Sequence, residues 1–122
     1  MDVVRIEEMK GGWFAGNFEP TAWKTEAFEA AVHDYKKGEE KEAHYHKLGT
    51  EINLLLEGSF ILRNYDGKGT DQKLVKGDVF IIHPYEIADP LFLEDCKIMV
   101  IKTPSVPGDL SLIHISEPTR PY

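Results

Sequence analysis

His44 and His46 are separated by one residue, and Glu51 follows within the stretch GEEKEAHYHKLGTEINLLLEG that runs from Gly38 to Gly58. Side chains on a strand alternate between faces, so His44 and His46 share one side of a sheet while Tyr45 takes the other. Gly49 permits a tight bend, and Glu51 then opens the next strand beside them. Two imidazoles and a carboxylate at this range outline the donor set of a metal ion. An H-x-H pair alone arises often by chance; the framing glycines and the glutamate at a set distance make the arrangement specific.

The spacing G-x5-H-x-H-x4-E-x6-G resembles the first sequence motif of the cupin superfamily, with every position filled. The second motif of that family reads approximately G-x5-P-x-G-x2-H, and its last histidine is the usual final ligand. Here Gly77 opens KGDVFIIHPYEIADP with the expected G-D and apolar strand, but His83 stands in place of proline, Tyr85 in place of glycine and Ala88 in place of the ligand. If Pro84 to Ile87 form a four-residue hairpin loop, His83 and Ala88 oppose each other on paired strands, with Cβ atoms about 4.5–5.5 Å apart. The expected metal set is therefore His44, His46 and His83, with Glu51 either a fourth ligand or the partner that orients an imidazole. The other reading leaves His83 exposed on a hairpin and keeps three ligands, Glu51 among them. Asp89 is a further candidate, directed opposite to Ala88. Many barrels of this family keep the fold and lose the metal.

Imidazole suits copper, iron, nickel and zinc, whereas added carboxylates and water favour manganese. A set rich in histidine puts copper first and iron second, with an open position for dioxygen, peroxide or substrate. No serine–histidine–acid or cysteine–histidine arrangement competes for nucleophilic catalysis, so redox chemistry leads. The chain also resembles very small single-domain cupins from environmental DNA, among which oxidative cleavage of cellulose by copper is known. That resemblance implies a carbohydrate substrate, copper on His44, His46 and His83, and a reductant and oxygen or peroxide supplied from outside. Glu51 would relay a proton or position a water, and Tyr85, at the hairpin tip beside His83, would offer a flat face to a sugar ring. Two rival classes stay open. One is a sugar or sugar-nucleotide isomerase or epimerase using His46 and Glu51 as an acid–base pair; the other is a small-ligand-binding cupin without turnover.

The elements that must position these residues read as strands almost throughout. VVRI near the start is a short strand, and GGWFAGNFEP a loop. FEAAVHDY sets Phe28, Ala30 and Val32 against Glu29, Ala31 and His33, the pattern of a half-buried strand. HYH, EINLLLEG, SFILRNY, QKLVKGD, VFIIH and KIMVIK follow, with turns at Glu57-Gly58 and Asp66-Gly67. Strands at this recurrence, with no sustained helical stripe, make an all-β double-sheet jelly roll, and the cupin resemblance agrees over about residues 25 to 103. Trp13 and Trp23 are expected to cover the barrel mouth, and Tyr45 to fill the outer face. The single cysteine, Cys96, shares a face with Ile98 and Val100 and reads as a buried, inert thiol.

Residues 1–109 form one domain. Leu110 to Tyr122, LSLIHISEPTRPY, has no periodicity and no continuation of a barrel; it resembles the conceptual translation of a transposase adapter used in sequencing libraries, so it is read as non-native and His114 is set aside as a ligand. Hydrophobic residues are 42% and charged residues 29% of the chain, the balance of a globular protein. The net charge of −7, with no basic cluster, argues against nucleic acid, which a cationic face must neutralise. No apolar run approaches the roughly 20 residues that span a bilayer, so no membrane partner is expected. MDVVRIEEMKGG is acidic and lacks the basic-then-apolar profile of a secretory signal. As written the chain stays in the cytoplasm, and an upstream signal would make it extracellular. By family resemblance a homodimer is expected, joined through exposed strand edges.

Overall fold

The computed structural model describes residues 1–39, 41–65 and 69–112. Eleven strands follow in chain order: β1 (Trp13–Gly16), β2 (Trp23–Lys24), β3 (Glu29–Tyr35), β4 (His44–His46), β5 (Thr50–Glu57), β6 (Ser59–Leu62), β7 (Gln72–Val75), β8 (Val79–Ile82), β9 (Pro90–Phe92), β10 (Cys96–Thr103) and β11 (Leu110–Leu112). Among the described residues they form a six-stranded sheet in the order β2-β1-β3-β10-β5-β8, a three-stranded sheet β7-β6-β9, and the pair β11-β4. The all-β jelly roll expected from the strand recurrence is what the chain adopts.

Antiparallel register aligns the inward rows of the larger sheet. Ile98 of β10 lies between His33 of β3 and Leu55 of β5, Val100 between Ala31 and Asn53, and Lys102 between Glu29 and Glu51. On β10 burial alternates strictly, with Cys96, Ile98, Val100 and Lys102 inside. The β5 row continues into β8, where Phe80 opposes Asn53 and Ile82 opposes Glu51. Leu55, Ile98 and Val100 pack against Phe60, Leu74 and Phe92 of the smaller sheet, and this contact between layers is the core. Leu55 and Phe60 are fully buried, each contributing about 1.5–3 kcal/mol through apolar burial. Cys96 is buried and free, as its place in that row requires.

Two glycines of the motif have separate causes. Gly58 sits at φ +91°, and a Cβ there would come within 2.3 Å of the Asp95 carbonyl oxygen, so the β5–β6 turn needs glycine for both conformation and space. At Gly49 the need is space alone: a Cβ would lie 2.9 Å from Cγ of Lys102. Lys102 is itself buried and pairs with buried Glu29, Nζ to Oε1 3.3 Å, while Ser105 Oγ donates to Glu29 Oε2 at 2.9 Å. That hydrogen-bonded partnering is what makes two charges tolerable inside the barrel.

Several local expectations change. VVRI forms no strand; 3-10 turns follow at Ile6–Glu8 and Lys10–Gly12 instead. WFAG, read as loop, is β1 and pairs with β3 through an irregular register that absorbs the turn-rich composition around it. Leu110–Leu112, the first residues of the stretch read as non-native, pair with β4. The turn expected at Asp66-Gly67 and residues 113–122 lie outside the described residues.

Candidate functional site

β4 has sequence neighbours on neither side of it in space: β11 pairs with one edge, and at the other His44 exchanges backbone hydrogen bonds with Ala88 at 3.2 and 2.8 Å. Period-two alternation then turns His44 and His46 into the barrel, as expected. Glu51 arrives from the start of β5, and its Oε2 lies 3.0 Å from Nε2 of His46. Asn53, two residues on and therefore on the same face, donates from Nδ2 to Glu51 Oε1 at 3.2 Å, which fixes the plane of the carboxylate. The His44 and His46 rings lie 5.6 Å apart, edge to face. These side chains line a cavity of about 510 Å³ between the sheets, shared with His33 and Tyr35 of β3.

Electrostatics sort the proton carriers. Burial alone would raise the Glu51 carboxyl, but the hydrogen bonds from His46 and Asn53 outweigh it and hold it below the usual carboxylate range. Burial pushes His44 and His33 down, and Lys41 adds to the effect on each. Near neutral pH the site thus presents an ionised carboxylate and neutral imidazoles at 33 and 44, the states that donate lone pairs to a cation. Tyr35, desolvated and facing the Glu51 charge, is pushed up to about 12 and stays a phenol.

The motif implies a metal. Nδ1 of His46 is buried with no hydrogen-bond partner, while Nε2 on the other side of the ring faces Glu51. Two donors about 2.1 Å from a common ion and at right angles lie about 3 Å apart, close to the 3.0 Å between His46 Nε2 and Glu51 Oε2. Among the described residues, however, no three His, Cys, Asp or Glu side chains already converge in metal-holding geometry. His44 Nδ1 lies 3.1 Å from the Glu42 carbonyl oxygen, the kind of second bond that commonly orients an imidazole ligand. The donor types themselves, two imidazoles and a carboxylate lining one cavity, are those that suit a first-row transition metal.

The structure does not bring His83 to this group. The expected hairpin is absent: residues 83–86 make a turn, with Glu86 N–H donating to the His83 carbonyl at 3.0 Å and His83 N–H to Glu86 Oε1 at 2.7 Å. That turn carries the chain from β8 in one sheet to β9 in another, so Ala88 faces His44 rather than His83. His83 is exposed and lies outside the cavity wall. Tyr85 is likewise outside. It adopts φ +68°, uncommon for a bulky residue, with its N–H donating to the His46 carbonyl at 2.7 Å and its ring stacked on Tyr45 at 5.7 Å. Asp89 binds Arg63 at 2.9 Å. Trp13 does line the cavity, edge-on to His33 at 5.2 Å, whereas Trp23 is exposed.

His33, Asp34, Lys41, Glu42 and Asn53 are polar cavity residues that the sequence reading passed over. Asn53 follows from Glu51 by the period-two rule. His33 lies in the row Glu29, Ala31, His33, Tyr35, whose mixed polarity suggests an outer face; register with Lys102, Val100 and Ile98 turns that row inward.

No protein-family model matches the sequence, and no curated protein matches it. Solved structures do. A protein with a double-stranded β-helix domain from Klebsiella pneumoniae superposes with TM-score 0.62 at 21% identity, over 72% of this chain and 76% of its own. A cupin-2 domain protein from Shewanella frigidimarina gives TM-score 0.55 at 20% identity, over 65% and 72%. Oxalate decarboxylase from Bacillus subtilis gives TM-score 0.65 at 16% identity, over 79% of this chain but 26% of the enzyme. At these identities the likeness is one of fold. The chain folds as the double-stranded β-helix of the cupins.

Proposed function

We propose that this chain is a metal-dependent cupin oxidoreductase whose ion is held by His44, His46 and Glu51. The observation that carries the reading is the approach of His46 Nε2 to Glu51 Oε2 at 3.0 Å inside a cavity that His44 also lines. Two imidazoles favour copper or iron over the harder cations, and copper is the first choice. A bound copper ion would supply one-electron chemistry toward dioxygen or peroxide. The chain's own residues do the rest: Asn53 holds the Glu51 carboxylate in plane, Glu51 fixes the His46 ring, and the cavity walls exclude water from whatever enters.

Oxidative cleavage of a polysaccharide such as cellulose is the finer form of this reading. In balance, a C–H bond at the glycosidic carbon, dioxygen, two electrons and two protons give C–OH and water, the electrons coming from an external reductant. Peroxide gives the same products with none. The new C–OH then loses its proton as the C–O glycosidic bond breaks, leaving a carbonyl on one sugar and a hydroxyl on the other. A cavity of about 510 Å³ encloses a drug-sized molecule, so a polymer would enter by a chain end. A second reading has its own support. His46 and Glu51 satisfy each other at 3.0 Å without a cation, as an acid–base pair or a plain binding pocket would.

Copper titration of metal-stripped protein, read by electron paramagnetic resonance, separates these. One copper per chain with nitrogen hyperfine structure, lost in His46→Ala, is the expected result; activity on cellulose that requires reductant and oxygen, or peroxide, would then secure the finer form. Absent copper binding transfers the weight to the second reading.

A further inference from the structure

A second hollow, of about 630 Å³, lies between β8 with the turn after it and the end of β6 with the start of β7. Leu62, Phe80, Ile82 and Ala88 line it and also border the cavity of His44, His46 and Glu51, so one layer of side chains separates the two spaces. The rest of the lining is of another kind. Tyr65 and Tyr85 are 46% and 65% exposed there, and Arg63, Gln72 and Glu86 stand with them.

Tyr85 is the anomaly. Glycine adopts φ +68° at no cost, whereas a bulky side chain is disfavoured there. The bond from Tyr85 N–H to the His46 carbonyl, 2.7 Å, holds the turn, and any residue with an N–H could make it. Burial does not offset the strain, since the ring is mostly in water. The ring is nevertheless fixed, stacked on Tyr45 at 5.7 Å with the planes 24° apart. A tyrosine kept in a conformation that favours glycine, exposed yet held in one plane, is explained by contact with something outside the chain.

The groups around it select the chemistry. A guanidinium, an amide and a carboxylate are each planar, with two atoms that can bond adjacent hydroxyls. Arg63 and Glu86 are the charged residues of the lining, one of each sign, and Arg63 is oriented by Asp89 at 2.9 Å. That balance suits a neutral ligand. A sugar ring fits the set, its C–H face on a tyrosine and its hydroxyls on the planar groups.

We infer that this hollow is a second saccharide site, which holds a neutral polysaccharide against the outer side of the cavity wall, with Tyr85 and Tyr65 as its stacking surfaces. The choice of a polymer rests on the polysaccharide reading of the neighbouring cavity. The binding itself needs no ion, so the two can fail separately.

The test is calorimetric titration of cellohexaose and of xylohexaose into metal-stripped protein, with folding verified by far-ultraviolet circular dichroism. The expected result is one oligosaccharide per chain for at least one of the two. Tyr85→Gly, which removes the ring and suits the turn, should weaken that binding roughly tenfold or more, and Tyr85→Phe should retain it. Tyr65→Ala, at an exposed position, should weaken it too and decides the matter if Tyr85→Gly does not fold. Val79 and Ile81 form the lip on β8, an edge strand among the described residues, so Ile81→Glu is included to keep a second copy off it. Binding of neither sugar, or binding that a folded Tyr85→Gly chain keeps in full, overturns the inference. Binding by Ile81→Glu alone also overturns it, because a second copy is then the occupant. Ring-dependent binding in a chain that takes up no copper upholds it while the metal reading falls.

Discussion

Asn53 decides where the Glu51 carboxylate points, through the 3.2 Å bond from Nδ2 to Oε1. Replacing it with leucine keeps the size and removes the donor. Asn53→Leu is expected to weaken copper binding about 10–100-fold, the usual cost of losing a group that orients a ligand. His83→Ala should leave copper affinity unchanged, because that side chain is exposed and outside the cavity. Isothermal titration of both variants checks the pair of outcomes, and a large loss in His83→Ala would restore that histidine to the ligand set. His44, His46 and Glu51 are legible in the sequence because their relation is local: period two on one strand, then a bend. His33 is not, since it reaches the cavity only through the register of β3 with β10, whose residues lie far along the chain.

Between elements, the Lys47–Gly49 bend joins β4 to β5 and is tied down from the far end of the chain. Asp109 accepts N–H bonds from Lys47, Leu48 and Gly49 at 2.9–3.2 Å. Burial alone would raise its carboxyl; those N–H groups and Lys102 outweigh burial and hold it below the usual range. A carboxyl lowered on folding adds stability above its unfolded pKa of about 3.9, and that contribution is lost as pH falls through the folded value. Asp109→Asn is therefore expected to cost about 1–3 kcal/mol at neutral pH, with the gap from the parent closing below about pH 4. Urea unfolding across pH tests this, and a gap that persists in acid would assign the loss to shape rather than charge. The strands themselves were readable from alternation and turns, but which sheet each joins was not. VFIIH and the segment after Pro84 look like two arms of one hairpin, and only the three-dimensional register reveals that β8 and β9 part company at Tyr85.

For the molecule as a whole, the outer face of the six-stranded sheet is apolar. Ile52 opposes Ile81 and Leu54 opposes Val79, while Ile101 and Met99 flank them on β10. Val79 is 62% exposed and Ile81 49%, on a strand that ends the sheet among the described residues. Such an edge invites pairing, and a second copy is the expected cover. Each copy carries a net charge of −7, so added salt should tighten the dimer by screening repulsion. Light scattering after size exclusion is expected to give a dimer at moderate salt and a monomer for Ile81→Glu; a monomer of the parent at every salt concentration would end that reading.

One wall of the cavity has an unusual owner. Leu110 and Leu112 border it, and β11 holds β4 in place by main-chain pairing opposite His46 and His44. Main-chain bonds do not ask which side chains the partner carries, so other tails able to lie extended would serve the same purpose. Positions 110 and 112 are therefore part of the chamber's rim, and changing the side chains there alters its lining without touching a single imidazole.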